Sequence, residues 1–152
     1  MSGKDMRTAG GGARAAYRVL AIVVMAGVAL QVAFVAFGAF GMLSDADDGV
    51  TVDGAYDNLG QQLHSFGGSA LAVVVLALLV VSFFARVPRG RTLAGVLTGM
   101  VVLQFVLAMT AYSVPLLGTL HGLNGLAMAG VAGTAARRAS RAGQPEPARA
   151  GG

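Results

Sequence analysis

Four stretches of this chain, residues 19–43, 63–85, 93–114 and 116–136, contain no Asp, Glu, Lys or Arg. Each holds 21 to 25 residues, and at ~1.5 Å rise per residue each is long enough to cross a hydrocarbon core of about 30 Å. Lipid offers no hydrogen bonds to a bare backbone, so such runs form helices unless they belong to a closed barrel. Barrel strands alternate polar and apolar residues, and these runs do not. The expected fold is therefore all-α, an integral membrane four-helix up-down bundle. Composition agrees: 55% of the residues are hydrophobic and 12% charged, against about 25% charged in soluble domains. With no Cys the chain has no disulfide, thiolate nucleophile or thiolate metal ligand.

The basic residues set the orientation. Lys4, Arg7, Arg14 and Arg18 precede the first run, Arg86, Arg89 and Arg91 separate the second from the third, and Arg137, Arg138, Arg141 and Arg149 follow the fourth. The connection between the first two runs instead holds Asp45, Asp47, Asp48, Asp53 and Asp57, five of the seven acids. The positive-inside rule places both termini and the Arg86–Arg91 turn in the cytoplasm, for a multi-pass protein of the plasma membrane. The net charge of +4 then reports contact with the lipid bilayer and not with nucleic acid. Residues 1–18 and 137–152 are expected to be disordered basic segments flanking a transmembrane domain, 19–136. The competing reading of the first run is a signal peptide cleaved near Ala36-Phe37-Gly38. Arg137-Arg138-Ala139-Ser140 has the form of a basophilic kinase site but reads first as an inner-leaflet anchor.

The two halves are weakly self-similar. Leu30-Gln31 in the first run matches Leu103-Gln104 in the third. The second and fourth share Leu-His-x-[Phe/Leu]-x-Gly, as Leu63-His64-Ser65-Phe66-Gly67-Gly68 and Leu120-His121-Gly122-Leu123-Asn124-Gly125. Two parallel helical hairpins, related by an axis along the membrane normal, would carry this pattern. The depths conflict when counted from the inner arginines, because His121 is 16 residues before Arg137 and His64 is 22 before Arg86. Counted from their outer ends the two His match.

The repeat brings His64 and His121, with Gln31, Gln104 and Asn124, to the outer half of the bilayer. An ionisable residue inside a span is a functional candidate by default. Two neutral imidazoles on the second and fourth helices lie across a bundle diagonal, where they can fill both axial positions of a haem b. Gly68 and Gly125 lie at i+4 from their His and leave room for a macrocycle. Against this, the outer side has no Arg or Lys for haem propionates, leaving Tyr56, Asn58, Ser65 and Ser113. Two alternatives stay open: His and Gln as interhelical hydrogen-bond glue, or a quinone or other lipid held by the same groups. The pairs Gly95/Gly99 and Gly118/Gly122 have the spacing of helix packing, within the chain or between copies of a homo-oligomer or larger membrane complex.

Other chemistry finds little footing. No carboxylate or Lys lies inside a run, so an ion-coupled transporter lacks its relay. Asp45-Ala46-Asp47-Asp48-Gly49 places Gly at the fifth position of a would-be calcium loop and has no closing Glu, and reads as a solvated acidic loop. No catalytic constellation is present, so no enzyme activity is assigned.

At Leu-Gln, Leu-His-x-x-x-Gly and the turn Arg86-Val87-Pro88-Arg89, the chain resembles a family of small four-helix bacterial membrane proteins catalogued as domain of unknown function 6220. The resemblance covers roughly residues 17–136. The family commonly reads Ala-His-Arg-x-Leu-Gly near the second helix; His64 and Gly68 fit, whereas Leu63 and Ser65 replace the flanking Ala and Arg. His121 and Asn124 fit its Leu-His-x-x-Asn pattern in the fourth helix. The family carries no established activity, so the resemblance implies topology. At the level of fold alone, the histidine arrangement is similar to that of membrane b-type cytochromes and haem A synthase.

Overall fold

A computed structural model describes residues 3–144. Among these it has four α-helices and no strand: α1 (Gly3–Asp47), α2 (Leu59–Ser82), α3 (Gly90–Ala111) and α4 (Leu116–Arg141). Three of them are long and apolar enough to cross a membrane, over Gly11–Asp47, Leu59–Ser82 and Gly90–Ala111. The fourth is longer than α3, but its Gly, Ala, Thr, Asn and Arg content keeps it less apolar than the other three.

The helices form a ring: α1 packs on α2 and α4, α3 packs on α4 and α2, and among the described residues the backbones of the diagonal pairs stay apart, so that only side chains reach across. Each helix buries one stripe at heptad-like spacing. In α1 it is Tyr17, Ala21, Val24 and Val28, and in α4 Met128, Ala132, Ala135 and Ala139. The stripes of α2 and α3 are Val75, Leu78 and Ser82, and Gly90, Ala94 and Leu97. Steps of three and four residues keep one seam on the bundle axis. The alanines of α4 let the bulkier α1 approach closely. Large apolar side chains such as Phe40, Phe66, Val73 and Met109 instead point outward, the inverse of a bundle built for water.

This core occupies the end of the bundle where Tyr17 of α1, Ala139 of α4 and the α2–α3 turn meet. Tyr17, fully buried, reaches across the α1–α3 diagonal and donates its hydroxyl to the Gly90 carbonyl at 3.0 Å. Two expectations are corrected here. Residues 11–18 are helical, and α4 continues through Arg141, because Tyr17 and Ala139 belong to the buried seam; the expected disorder of residues 145–152 lies outside the described residues. Ser140 of the kinase-like motif is likewise helical, its hydroxyl donating to the Ala136 carbonyl at 3.1 Å.

The opposite end is tied by the α1–α2 connection. Asn58 caps α2 in a reciprocal box with Gln61: its Oδ1 accepts from the Gln61 N–H at 3.0 Å and the Gln61 side chain accepts from the Asn58 N–H at 3.2 Å. Asn58 Nδ2 also donates to the Gly38 carbonyl at 2.8 Å and to the Tyr56 hydroxyl oxygen at 3.1 Å. Tyr56 in turn donates to Asp45 Oδ2 at 2.6 Å. That bond to a carboxylate raises the Tyr56 phenol above its ordinary value, against the lowering effect of the Asn58 amide. Behind this latch α1 and α2 cross glycine on glycine. A Cβ on Gly60 would run into the backbone N and Cα of Gly38 and lie 2.9 Å from the Phe34 carbonyl oxygen.

Candidate functional site

Above the inner core each apolar stripe continues, at the same steps of three and four, into a polar residue. On α1 the stripe runs Val24, Val28, Gln31; on α3, Leu97, Val101, Gln104. On α2 it runs Val75, Leu71, Gly68, His64, and on α4 Ala132, Met128, Gly125, His121. The register therefore turns both Gln and both His toward the bundle interior. A cavity of about 840 Å³ opens there, floored by Val28, Leu71, Val101 and Met128 and lined higher up by Gln31, Gln104, His64 and His121. Its size falls within the ~300–1,000 Å³ of small-molecule and cofactor sites.

The two imidazoles meet across the α2–α4 diagonal, ring centroids 6.0 Å apart and planes at 66°. They are level: each stands five positions past the first residue of its helix, Leu59 or Leu116, and the unequal spacing to the arginines arises at the other ends, where α2 stops at Ser82 before Arg86 and α4 runs past Arg137 to Arg141. The His121 half is hydrogen-bonded throughout. His121 Nδ1 lies 3.1 Å from the Gln104 backbone carbonyl, and since a carbonyl only accepts, Nδ1 carries a proton; in the neutral ring Nε2 then has the free lone pair. Gln104 Nε2 donates to the His121 carbonyl at 3.0 Å. Asn124 Nδ2 donates to Gln104 Oε1 at 2.6 Å and to the Met100 carbonyl at 2.9 Å.

The His64 half is not. Gln31 Oε1 and His64 Nδ1 are buried with no hydrogen-bond partner. One residue type accounts for the difference: three positions after its His, α2 has Gly67 where α4 has Asn124. The Gln31 amide nitrogen fills the space that a Gly67 Cβ would take, and no side chain there donates to Oε1.

The remaining expected site residues divide. Gly68 and Gly125 line the cavity, although the glutamine amides already lie near them: a Cβ would sit 3.9 Å from Gln31 Oε1 or 3.5 Å from Gln104 Nε2. Gly118 and Gly122 also line it. As helix-packing positions within the chain these glycines are not used: a Cβ on Gly95, Gly99 or Gly122 meets nothing, and one on Gly118 only brushes Ala111 at 3.8 Å. Tyr56 and Asn58 are engaged in the latch, whereas Ser65 lines the cavity. Sequence reasoning missed Ser69 and Tyr112, which also line it; the i+4 step from Ser65 would have found Ser69. Among the described residues no three His, Cys, Asp or Glu side chains gather to hold a metal ion. The site's resources are thus two imidazoles facing one another, two glutamines and an apolar floor.

Residues 54–111 match the model of a family described as Family of unknown function (DUF6220). The matched stretch agrees with the family resemblance read from the sequence and contains His64, Gly68 and Gln104, while Gln31, His121 and Asn124 lie outside it. No curated protein and no solved structure matches the chain.

Proposed function

We propose that this chain is a multi-pass membrane protein whose cavity holds a b-type haem between His64 and His121, as a small redox subunit without enzyme activity of its own. The observation that carries this reading is the pair of imidazoles 6.0 Å apart across the diagonal, facing one cavity. Two imidazoles bound to one metal at ~2 Å each have centroids about 6 Å apart. Directly packed rings span ~4.5–7 Å, so the surroundings must discriminate. Three features favour a ligand. The Gln104 carbonyl sets the His121 tautomer that leaves Nε2 free to coordinate, the usual outer support of a metal-bound His. In the other half His64 Nδ1 has no hydrogen-bond partner, and the Gln31 backbone beside it is the counterpart of the Gln104 carbonyl that orients His121. The floor of Val28, Leu71, Val101 and Met128 is apolar, as a macrocycle face requires. Ser65, Ser69 and Tyr112 are the polar groups available to propionates.

When bound, haem supplies one-electron transfer. His64 and His121 would hold it, the Gln104 carbonyl would keep the His121 ring oriented, and the apolar floor would keep water away. The membrane setting rests on the apolar runs and the segregation of charge: four spans, both termini cytoplasmic, in the plasma membrane. Register supports the hairpin repeat. Tyr17, Ala21, Val24, Val28 and Gln31 shifted by 73 positions are Gly90, Ala94, Leu97, Val101 and Gln104. His64, Gly68, Leu71, Val75, Leu78 and Ser82 shifted by 57 are His121, Gly125, Met128, Ala132, Ala135 and Ala139.

The protein purified from cells supplied with ample haem should show a Soret band that responds to reduction, and His121→Ala should abolish it. Absence of the band in the unmodified protein overturns the haem reading. A second reading, interhelical glue, is favoured by the Gln104–His121–Asn124 network, which joins α3 to α4 with no ligand at all. It accounts for that half and leaves Gln31 and His64 unexplained.

A further inference from the structure

At the end of the bundle opposite the histidines, the seven-residue connection between α2 and α3 encloses a hollow of about 370 Å³, lined by Arg86, Arg89 and Arg91 together with Val87 and Thr92. Val87 is buried, so the turn is pinned at its centre while the arginines fan around it. Arg86 and Arg89 sit in the left-handed region, at φ 51° and 55°, where glycine is the unstrained choice. Arginine there points to a use for the guanidinium. Arg91 is held in place: its Nη2 donates to the Phe83 carbonyl at 3.1 Å and its guanidinium lies 5.1 Å over the Phe83 ring. Neither α2 nor α3 contains an acidic residue, and five of the seven acids lie in the connection at the far end. Three cations thus converge on one concavity with no carboxylate on either flanking helix to neutralise them. The Arg89 side chain makes no capping bond to the first turn of α3, so its guanidinium is not committed there.

We propose that this hollow binds a phosphate oxyanion. Guanidinium forks match phosphate oxygens in pairs, which ammonium groups do not. The phosphate comes from an anionic phospholipid headgroup, as in basic pockets at cytoplasmic helix ends, or from soluble phosphate. The lipid source rests on the membrane reading above; the haem plays no part in it.

The test uses the full chain reconstituted in nanodiscs containing equal amounts of cardiolipin and phosphatidylcholine, with bound lipid counted by native mass spectrometry. Cardiolipin should be retained in preference to phosphatidylcholine. Arg86→Gly with Arg89→Gly should lower that retention about tenfold, while Arg137→Gln with Arg141→Gln, an equal loss of charge at the same end, should lower it less than twofold. Glycine suits both left-handed positions, so the helical circular dichroism should survive and a misfolded variant is not the explanation for lost binding. The paired lysine variant should fall between the two. Calorimetric titration with inorganic phosphate forms the second arm: a heat that the paired glycine variant abolishes identifies soluble phosphate as the occupant. Equal retention of both lipids together with no phosphate heat overturns the site, and so does an equal drop in both paired variants. Failure of the chain to float with vesicles of any composition would instead overturn the membrane reading.

Discussion

Gln31 and Gln104 occupy equivalent positions on α1 and α3, yet their side chains face different balances. Gln104 bonds at both ends of its amide, to the His121 carbonyl and to Asn124. Gln31 Oε1 is buried with no donor. Removing a bonded buried polar group strands its partners, whereas replacing an orphan with an apolar side chain of similar size removes a penalty. In the ligand-free protein Gln104→Leu should therefore cost about 1–2 kcal/mol, within the range of interhelical hydrogen bonds in lipid. Gln31→Leu should be neutral or stabilising. Unfolding of both variants in the same detergent checks this, and equal losses would show that Gln31 is bonded after all.

At the scale of elements, the glycines that matter for packing are not those with the familiar spacing. Gly95 and Gly99 sit four apart on α3 and a Cβ on either meets nothing, while Gly38 and Gly60 bring α1 and α2 into backbone contact. Gly60→Ala should cost about 1–3 kcal/mol through overpacking. Gly99→Ala should leave the monomer unchanged or gain up to ~1 kcal/mol from helix propensity. Thermal unfolding separates the two. Should Gly99→Ala also dissociate a detergent-stable oligomer, the open α3 face pairs copies of the chain. This is where legibility ended. The four helices and the diagonal placement of His64 and His121 follow from run length, charge segregation and the repeat. The inward aim of all four polar residues was also readable, since the steps 17, 21, 24, 28, 31 and 64, 68, 71, 75 carry them into the apolar seam. The Gly38–Gly60 crossing was not readable, because it joins positions on two helices through a connection whose course depends on Tyr56, Asn58 and Asp45. Nor was the helicity of residues 11–18, where a Gly- and Ala-rich composition suggests disorder and only the buried Tyr17 reveals a packed partner.

For the whole molecule the open matter is whether α4 crosses the membrane, since its small and polar residues make it less apolar than the other three helices. α4 packs on both α1 and α3, and its end is fastened beside Arg14 of α1 and the α2–α3 turn. Arg138 Nη1 donates to the Pro88 carbonyl at 3.5 Å, and a Cβ on Gly143 would lie 3.3 Å from Arg14 Nε. If α1, α2 and α3 span the bilayer, the end of α4 with Ala142 and Gly143 lies on the same side as Arg14 and Pro88, and not on the side of the Asp-rich connection. Shielding by its neighbours lets a small-residue helix cross where an isolated one would not, because close contact among backbones replaces the lost transfer energy. The chain has no Cys, so single cysteines report topology without a background. Thr51→Cys, in the α1–α2 connection, should react with a membrane-impermeant maleimide on intact cells, whereas Gln144→Cys should react only after permeabilisation. Labelling of both on intact cells would mean that α4 does not cross and that the bundle opens in the membrane. Labelling of Gln144→Cys alone would invert the orientation, and the arginine hollow would then face the outer leaflet.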